Sequence, residues 1–328
     1  MPAGVSSLHC SGWCGLEAWQ KFWIRGTDRG PSTARTACAS LRMTSVLQRG
    51  CVVLYPCTQM KIAIQGELGA FSHEACRRNF PRAKVVPCAV SSEVFEALES
   101  GRVDAALIPI ENTLAGPVVV HYDLLLEHDF YVNAEFRLRI EHQLLAVPGT
   151  KFGEIREVLS HPVALDQCRK FFAKNKKVRS VSFYDTAGAA RHVMEEGKHE
   201  QAAIASRVAG EVYGAEVLQS NLEDDAQNFT RFVLVERRAR ANKDANKVSV
   251  AVGLPNKPGM LFKALSVFAL REIDLTKIES RPVRGRPWEY AFFLDFMQTD
   301  KKAAENALRH LEEIAQFVKV LGRYRSAE

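Results

Sequence analysis

The chain has 328 residues, of which 47% are hydrophobic and 25% charged, and its formal net charge is +6. This composition is typical of globular proteins, and the length predicts about two domains. No apolar run approaches the ~20 residues that cross a bilayer, and no basic stripe is interleaved with aromatic residues, so we predict neither a membrane span nor binding of nucleic acid.

Residues 1–59 differ in character from the rest of the chain. They hold six Lys and Arg against two acidic residues, five of the eight cysteines and three of the four tryptophans, without a sustained helical or strand period. We predict a disordered N-terminal extension, which is either an organelle-targeting presequence or sequence translated from a start codon placed before Met60. The three scattered cysteines that follow suit a reducing compartment, which predicts the cytoplasm, or the plastid stroma if residues 1–59 are a transit peptide.

Strands and helices alternate from Lys61 to about Val235, which predicts an α/β domain with largely parallel pairing. After the first predicted strand, Gly66 and Gly69 allow close approach of the backbone, and Ser72 is a plausible N-cap. The helix that begins there is a candidate site for a carboxylate, because its first N–H groups are unpaired. A tight turn without a ligand explains the same glycines equally well.

Three further polar groups follow predicted strands. The buried run Ala105–Pro109 leads to Glu111, Asn112 and Thr113, and open α/β sheets bind ligands at such carboxyl ends. A capped helix start explains that segment equally well. The same strand-to-helix pattern recurs at Ser160 and again at Thr186 and Ala187.

The stretch from Asn228 to Phe232 brings three polar side chains into the start of a predicted strand. Its alternation predicts a strand with Thr230 and Phe232 on one face and Arg231 on the other. An amide, a hydroxyl and a guanidinium together suit an anionic, oxygen-rich ligand. Since Arg231 faces away from Thr230, it either grips that ligand or braces the cleft.

These elements predict two lobes joined by paired crossovers, a periplasmic-binding-protein-like architecture. We assign one lobe to 60–137 with 213–236 and the other to 138–212. Residues 237–246 form a basic linker. Residues 247–328 show the order βαββαβ, which predicts a ferredoxin-like sandwich.

The motifs in this order resemble the prephenate dehydratase family with its C-terminal ACT regulatory domain, which also includes the plant arogenate dehydratases. The resemblance spans Met60 to Tyr324 and departs from the family pattern Gly-Ala-Leu-Val at Met260 and Phe262. No helical chorismate mutase segment is evident, which implies a monofunctional enzyme. The motifs that carry it are Asn228–Phe232, Gly259–Phe262, Glu279–Pro282, Gly66–Ser72, Pro109–Thr113, Ser160–Pro162 and Asp185–Ala190.

The resemblance implies conversion of prephenate to phenylpyruvate, or of arogenate to phenylalanine, without a metal or cofactor. It implies that Thr230 bonds the leaving hydroxyl, with Asn228 and Glu111 as further catalytic candidates; Glu111 either supplies the proton or caps a helix. The substrate-binding candidates are Ser72, Asn112, Thr113, Ser160, Thr186, Ala187, Arg231 and Phe232.

The resemblance further implies inhibition by L-phenylalanine, bound to the ACT domain between the subunits of a homodimer or homotetramer. A rival hypothesis is a non-catalytic sensor of aromatic acids. The candidate effector-binding residues are Asn256, Gly259, Met260, Leu261, Glu279, Ser280 and Arg281.

Overall fold

The computed structural model describes residues 44–48, 51–55, 59–286 and 288–327. Within the first 59 residues it contains two antiparallel strands, β1 (Thr44–Gln48) and β2 (Cys51–Tyr55). The prediction of disorder for the remainder of that segment, up to Thr58, lies outside the described residues. No helix in the described ranges is long and apolar enough to span a bilayer.

Strands and helices alternate between Met60 and Glu236, as predicted. The strands are β3 (Lys61–Gln65), β4 (Lys84–Cys88), β5 (Ala105–Asn112), β6 (Gly116–Pro117), β7 (Tyr131–Arg139), β8 (Gln143–Ala146), β9 (Glu157–Ser160), β10 (Arg179–Ser182), β11 (Gln201–Ala205), β12 (Glu216–Gln219) and β13 (Phe229–Glu236). The helices are α1 (Phe71–Asn79), α2 (Ser91–Glu99), α3 (Val119–Glu127), α4 (Pro162–Asp166), α5 (Arg169–Lys174), α6 (Thr186–Glu196) and α7 (Arg207–Tyr213), with one 3₁₀ turn at Phe152–Glu154.

These strands form two sheets, one for each lobe. The first has the order β4-β3-β5-β13-β7, with β6 beside β5, and the second has the order β10-β9-β11-β8-β12. The chain crosses between the lobes after β7 and returns after β12. The predicted return at residue 213 is therefore too early, because Val217 and Leu218 of β12 still pack against the second lobe.

The pairing within the two sheets is mixed. The strands β3, β4 and β5 are parallel, as are β9, β10 and β11. In contrast, β13 is antiparallel to both β5 and β7, and β8 is antiparallel to β11 and β12. The prediction of largely parallel pairing is wrong for these strands, because a chain that leaves a lobe along one strand and returns beside it runs in the opposite direction.

The C-terminal part has the predicted βαββαβ order and folds into one antiparallel sheet, β15-β16-β14-β17. Both helices pack on the same face of this sheet, over a core that includes Val250, Phe268 and Leu311. The elements are β14 (Lys247–Leu254), α8 (Met260–Ala269), β15 (Leu275–Pro282), β16 (Tyr290–Met297), α9 (Lys301–Ile314) and β17 (Phe317–Tyr324).

The other face of the C-terminal sheet packs on the first lobe. Phe293 and Tyr324 share a buried apolar cluster with Tyr122 and Val132 of that lobe. Apolar faces on both sides of a sheet must be covered, so the first lobe completes the burial that the two helices provide on one side only. Gly322 permits the close approach, since a Cβ there would lie 2.0 Å from the Val132 carbonyl oxygen.

Candidate active site

Thr230 and Asn112 lie opposite each other on β13 and β5, at the edge of the first sheet that faces the second lobe. The Asn112 Nδ2 donates to Thr230 Oγ1 at 3.0 Å and to Asn228 Oδ1 at 2.7 Å. Its Oδ1 accepts the backbone N–H groups of Leu114 and Ala115 at 3.0 and 2.8 Å, which fixes the orientation of the amide. The sequence therefore places a rigid amide donor against the threonine hydroxyl.

The Thr230 hydroxyl is free to donate a hydrogen bond. Its oxygen accepts the hydrogen bond from Asn112, and within the described residues no acceptor for its own proton is found. The residue is 8% exposed, so little water competes for that proton. A buried hydroxyl whose oxygen already accepts a hydrogen bond can donate its proton to a bound ligand.

Asn228 joins the pair to the second lobe. It is fully buried, and its Nδ2 donates to Gln167 Oε1 at 2.9 Å. Gln167 follows α4 and also contacts Asn112 Oδ1 at 3.3 Å and His142 Nε2 at 2.9 Å. Asn228 thus acts on Thr230 through Asn112, because it has no surface left for direct contact with a substrate.

Gln167 was absent from the predicted site, although it lies in the segment that begins with the Ser160 motif. A polar residue at the end of a short helix carries no periodic signal, so only its contacts with Asn228 and Asn112 show its place. Burial lowers the pKa of its neighbour His142, although the bond to Gln167 and the charge of Glu223 raise it, and the imidazole is neutral at pH 7.

The glycine loop after β3 packs against helices of the second lobe. Gly69 has a φ of 95°, and a Cβ there would lie 2.8 Å from the Ala209 Cα. Ser206 Oγ donates to the Gly69 carbonyl at 2.6 Å, and Arg191 pairs with Glu67 at 3.0 Å. The loop therefore ties the two lobes together.

The helices on either side of this loop hold the other candidates for carboxylate binding. Ser72 is buried in the first turn of α1, whereas Thr186 and Ala187 open α6, with Thr186 partly exposed. The prediction that Ser72 is the N-cap is wrong, since Ala70 holds that position and makes no side-chain cap.

Three predicted substrate-binding residues have structural roles instead. Ser160 is fully buried and donates to the Ile204 carbonyl at 2.6 Å, which joins β9 to β11. Phe232 lies in the core of the first lobe. Thr113 donates to the Gln227 carbonyl and accepts from the Phe229 N–H, so it holds the junction between β5 and β13. These predictions are corrected because the sequence does not reveal which strand each side chain meets.

Arg231 lies on the opposite face of β13 from Thr230 and does not reach the cleft. Its guanidinium contacts Glu135 at 2.7 Å, Asp295 at 2.6 Å and the Tyr324 hydroxyl at 2.9 Å. Burial disfavours its charge, but Asp295, Tyr324 and Glu135 more than compensate and raise its pKa. Arg231 thus joins β13 to the C-terminal sheet, which differs from both predicted roles, since it neither grips a ligand nor braces the cleft.

Glu111 shares that face and pairs with Arg231 at 3.3 Å and with Lys277. Burial raises its pKa, but the hydrogen bonds and charges of Lys277 and Arg231 outweigh burial and hold the pKa below its usual range. An ionised carboxylate that faces away from Thr230 is poorly placed to donate a proton there. The prediction of Glu111 as proton donor is therefore corrected to an ion pair between domains.

The predicted effector residues divide between two faces of the C-terminal domain. Asn256, Gly259, Leu261 and Ser280 are exposed, and Met260 is partly buried at the start of α8. Gly259 has a φ of 80° at the N-cap of that helix. In the strand β15, Glu279 and Arg281 face the first lobe.

Arg281 is already engaged there, since its guanidinium donates to Asp123 of α3 at 3.2 Å. The prediction that Arg281 binds the effector is therefore corrected, because residues alternate along β15 and those beside Ser280 point to the first lobe.

Comparison with known proteins shows the family of the chain and its two domains. Residues 62–240 match the family model described as prephenate dehydratase, and residues 248–315 match that of the ACT domain. The chain is 42% identical over 279 residues to an arogenate dehydratase/prephenate dehydratase of Arabidopsis thaliana, covering 81% of this chain and 73% of the relative.

Two solved structures are also similar. A prephenate dehydratase from Arthrobacter aurescens, in complex with L-phenylalanine, has a TM-score of 0.75 at 30% identity and covers 81% of this chain and 90% of its own. GqqA, described as a quorum quenching acylase, has a TM-score of 0.75 at 33% identity and covers 81% and 98%. The chain therefore belongs to the prephenate dehydratase family and combines a two-lobed dehydratase domain with a C-terminal ACT domain.

Proposed function

We propose that the protein removes water and carbon dioxide from prephenate to give phenylpyruvate. The Thr230 hydroxyl carries this proposal, because it is buried between the lobes, oriented by Asn112 and able to donate its proton. The bond between the ring and its carboxylate breaks, and that electron pair enters the ring as the opposite C–O bond breaks. The leaving hydroxyl takes one proton and departs as water, and the ring becomes aromatic.

Thr230 assists this step by donating a hydrogen bond to the departing hydroxyl. A threonine hydroxyl is a weak acid, so it orients or relays the proton rather than giving it up outright. The carboxylates of the substrate are assigned to the first turn of α1, at Ser72, where a helix N-terminus favours anions. The Thr186 hydroxyl is the second candidate, whereas at Ala187 and Gly188 the Asp185 carboxylate already accepts the backbone N–H groups that open α6.

Arogenate is the second candidate substrate, favoured by the names of the Arabidopsis thaliana and Petunia hybrida relatives. The two acids differ only in a keto or an amino group on the side chain. We would offer each acid separately to the purified protein and identify the product. Phenylpyruvate from prephenate supports the main proposal, preferred release of phenylalanine from arogenate supports the alternative, and turnover of neither contradicts both.

We propose L-phenylalanine as an inhibitor that binds the ACT domain at the exposed residues Asn256, Gly259, Leu261 and Ser280. The strand β15 supports this assignment, because Ser280 lies on its exposed face whereas Lys277 and Arg281 on the other face pair with Glu111 and Asp123 of the first lobe. A ligand on β15 can therefore act on the strand that holds Asn112. Turnover that is unchanged at saturating L-phenylalanine would contradict this regulation.

We further propose that two copies of the chain pair through the ACT domain, as a dimer or as half of a tetramer. Strand β15 is an edge strand of its sheet, and Phe262 on α8 is 75% exposed. Exposed aromatic side chains and unpaired strand edges are typical of an interface between subunits. Light scattering on the wild type and on Phe262→Asp tests the pairing, and equal masses for the two would contradict it.

The compartment is proposed as the cytoplasm, with the plastid stroma as the alternative that the chloroplastic relatives from Arabidopsis thaliana favour. Residues 1–59 fused to a fluorescent protein would decide between them in a plant cell.

A further inference from the structure

The hydrogen bonds around Thr230 determine which nitrogen of His142 carries the proton. The starting point is Asn112, whose Oδ1 accepts two backbone N–H groups, so that its Nδ2 must face Asn228. The Asn228 atom that receives this donor is Oδ1, and its Nδ2 therefore faces Gln167. A backbone N–H can only donate, so it fixes the orientation of the Asn112 amide, and each amide then fixes the orientation of the next.

The next contact fixes the imidazole. The Gln167 atom that lies 2.9 Å from Asn228 Nδ2 must be the acceptor Oε1, and the same oxygen lies 2.9 Å from His142 Nε2. An amide oxygen only accepts hydrogen bonds, so Nε2 carries the proton. The bare Nδ1 has no partner within the described part of the chain, although His142 is only 1% exposed.

An unpaired acceptor in the protein interior costs about 1–3 kcal/mol. The ring is nevertheless held firmly, since the Phe71 ring meets it edge to face at 5.3 Å and Glu223 accepts its backbone N–H at 2.9 Å. The ring is therefore held where Nε2 makes its hydrogen bond, although Nδ1 has none.

We propose that His142 is a positioning residue, whose Nε2–H holds the amide of Gln167 in the one orientation that suits both Asn228 and Asn112. His142 donates to Gln167, Gln167 Nε2 donates to Asn112 Oδ1 at 3.3 Å, and Asn112 donates to Thr230 at 3.0 Å. The threonine then has only its own proton to offer to the substrate. This inference rests on the proposed dehydratase function for its kinetic consequence.

The opposite tautomer would disrupt the cluster. With the proton on Nδ1, the bare Nε2 would attract the Gln167 amino group, and that group would then face the amino group of Asn228. Both amides would have to turn, and Asn112 would lose its acceptor at Asn228.

Two substitutions at one position separate the roles of the two nitrogens. A glutamine amide reaches the Nε2 position of a histidine, whereas an asparagine amide reaches only the Nδ1 position. We expect His142→Gln to keep kcat within about tenfold of the wild type and His142→Asn to lose about 10²-fold, the cost of a misplaced catalytic group. KM should change little in either variant, because His142 does not contact the substrate.

A double-mutant cycle with Thr230→Ala tests whether His142 acts through Thr230. If it does, His142→Asn should lower the residual rate of Thr230→Ala by less than about threefold, since effects within one network do not add. A full 10²-fold further loss in that background, or equal losses in His142→Gln and His142→Asn with unchanged melting temperatures, would overturn the inference.

The tautomer itself is measured without activity. In ¹⁵N-histidine-labelled wild-type protein at pH 7, the His142 signals are assigned by the contact of its ring with the Phe71 ring. We expect this imidazole to carry its proton on Nε2 and to have an unprotonated Nδ1. An Nδ1–H tautomer at this residue would overturn the proposal even if both variants failed to fold. If the wild type converts neither prephenate nor arogenate, the proposed function fails, and the tautomer result still stands by itself.

Discussion

Thr230 and Arg231 are adjacent on β13, yet their side chains serve different domains. The Thr230 hydroxyl meets Asn112 in the cleft at 3.0 Å, whereas the Arg231 guanidinium meets Asp295 of the ACT sheet at 2.6 Å. Strand alternation puts the two on opposite faces. The position of the Thr230 hydroxyl is therefore tied, through a single strand, to the docking of the ACT domain.

Removing the charge of Arg231 should destabilise the fold severely. Arg231→Met leaves the carboxylates of Glu135 and Asp295 buried beside the apolar side chain, and breaking a buried ion pair in this way costs about 3–5 kcal/mol. Urea unfolding measures the free energy. Arg77→Met is the control, since its ion pair with Glu211 is half exposed and such pairs contribute about 0–1 kcal/mol. Similar decreases in the free energy of unfolding for Arg231→Met and Arg77→Met would contradict a stabilising role for the buried ion pairs of Arg231.

The ion pair between Lys277 and Glu111 should carry part of the response to L-phenylalanine. Lys277→Met removes the contact from β15 to the strand that holds Asn112, and we expect normal basal turnover with a raised inhibitor concentration for half inhibition. Coupling between sites usually amounts to ~1–3 kcal/mol, so the shift should be about 5-fold or more. Lys302→Met, on the exposed start of α9, is the matched control. An unchanged inhibition curve for Lys277→Met would exclude this contact from the regulation.

Gly69 should tolerate no side chain. A Cβ at this residue would meet the Ala209 backbone at 2.8 Å, and the φ of 95° is strained for alanine. We expect Gly69→Ala to push the loop away from the second lobe and to lower kcat/KM by at least tenfold, about 1.4 kcal/mol. Gly197→Ala controls for backbone strain alone, because Gly197 ends α6 with a positive φ and a Cβ there would meet no other atom. Equal activity in the two variants would show that the close approach is dispensable.

Buried His121 should make the fold sensitive to acid. Its Nδ1 donates to the Pro109 carbonyl at 2.6 Å, and burial lowers its pKa to about 4. Since the folded pKa lies below the unfolded value of 6.5, the stabilisation is complete above pH 6.5 and is lost as the pH falls towards about 4.

The free energy of unfolding of the wild type should thus fall by about 2 kcal/mol between pH 7 and pH 5 because of His121 alone. His121→Asn keeps a donor near the Nδ1 position but cannot be protonated, so the difference between the two pH profiles isolates the contribution of His121. Parallel profiles for wild type and variant would contradict it.

Much of this architecture is predictable from local patterns. Alternation placed Thr230 and Arg231 on opposite faces, and the order βαββαβ identified the C-terminal sandwich, because both depend on residues close in sequence. Ser160 and Phe232 were misjudged because their partners, the Ile204 carbonyl and the core of the first lobe, are distant in sequence.

The docking of the ACT sheet on the first lobe was not predictable for the same reason. Arg281 and Glu111 each have a charge suited to a ligand, and only the packing of β15 against the first lobe shows that protein groups already neutralise them. Gln167 was missed because it meets Asn228 across the two lobes.

The most direct test compares Thr230→Ala and Thr230→Ser with the wild type, using single-turnover release of phenylpyruvate from prephenate, or of phenylalanine from arogenate if that is the better substrate. We predict that the alanine variant loses about 10²–10⁴-fold in rate, as expected when assistance to proton transfer is removed, while serine retains most of it and both variants melt near the wild-type temperature. Near-normal turnover by folded Thr230→Ala would contradict the central role of this hydroxyl.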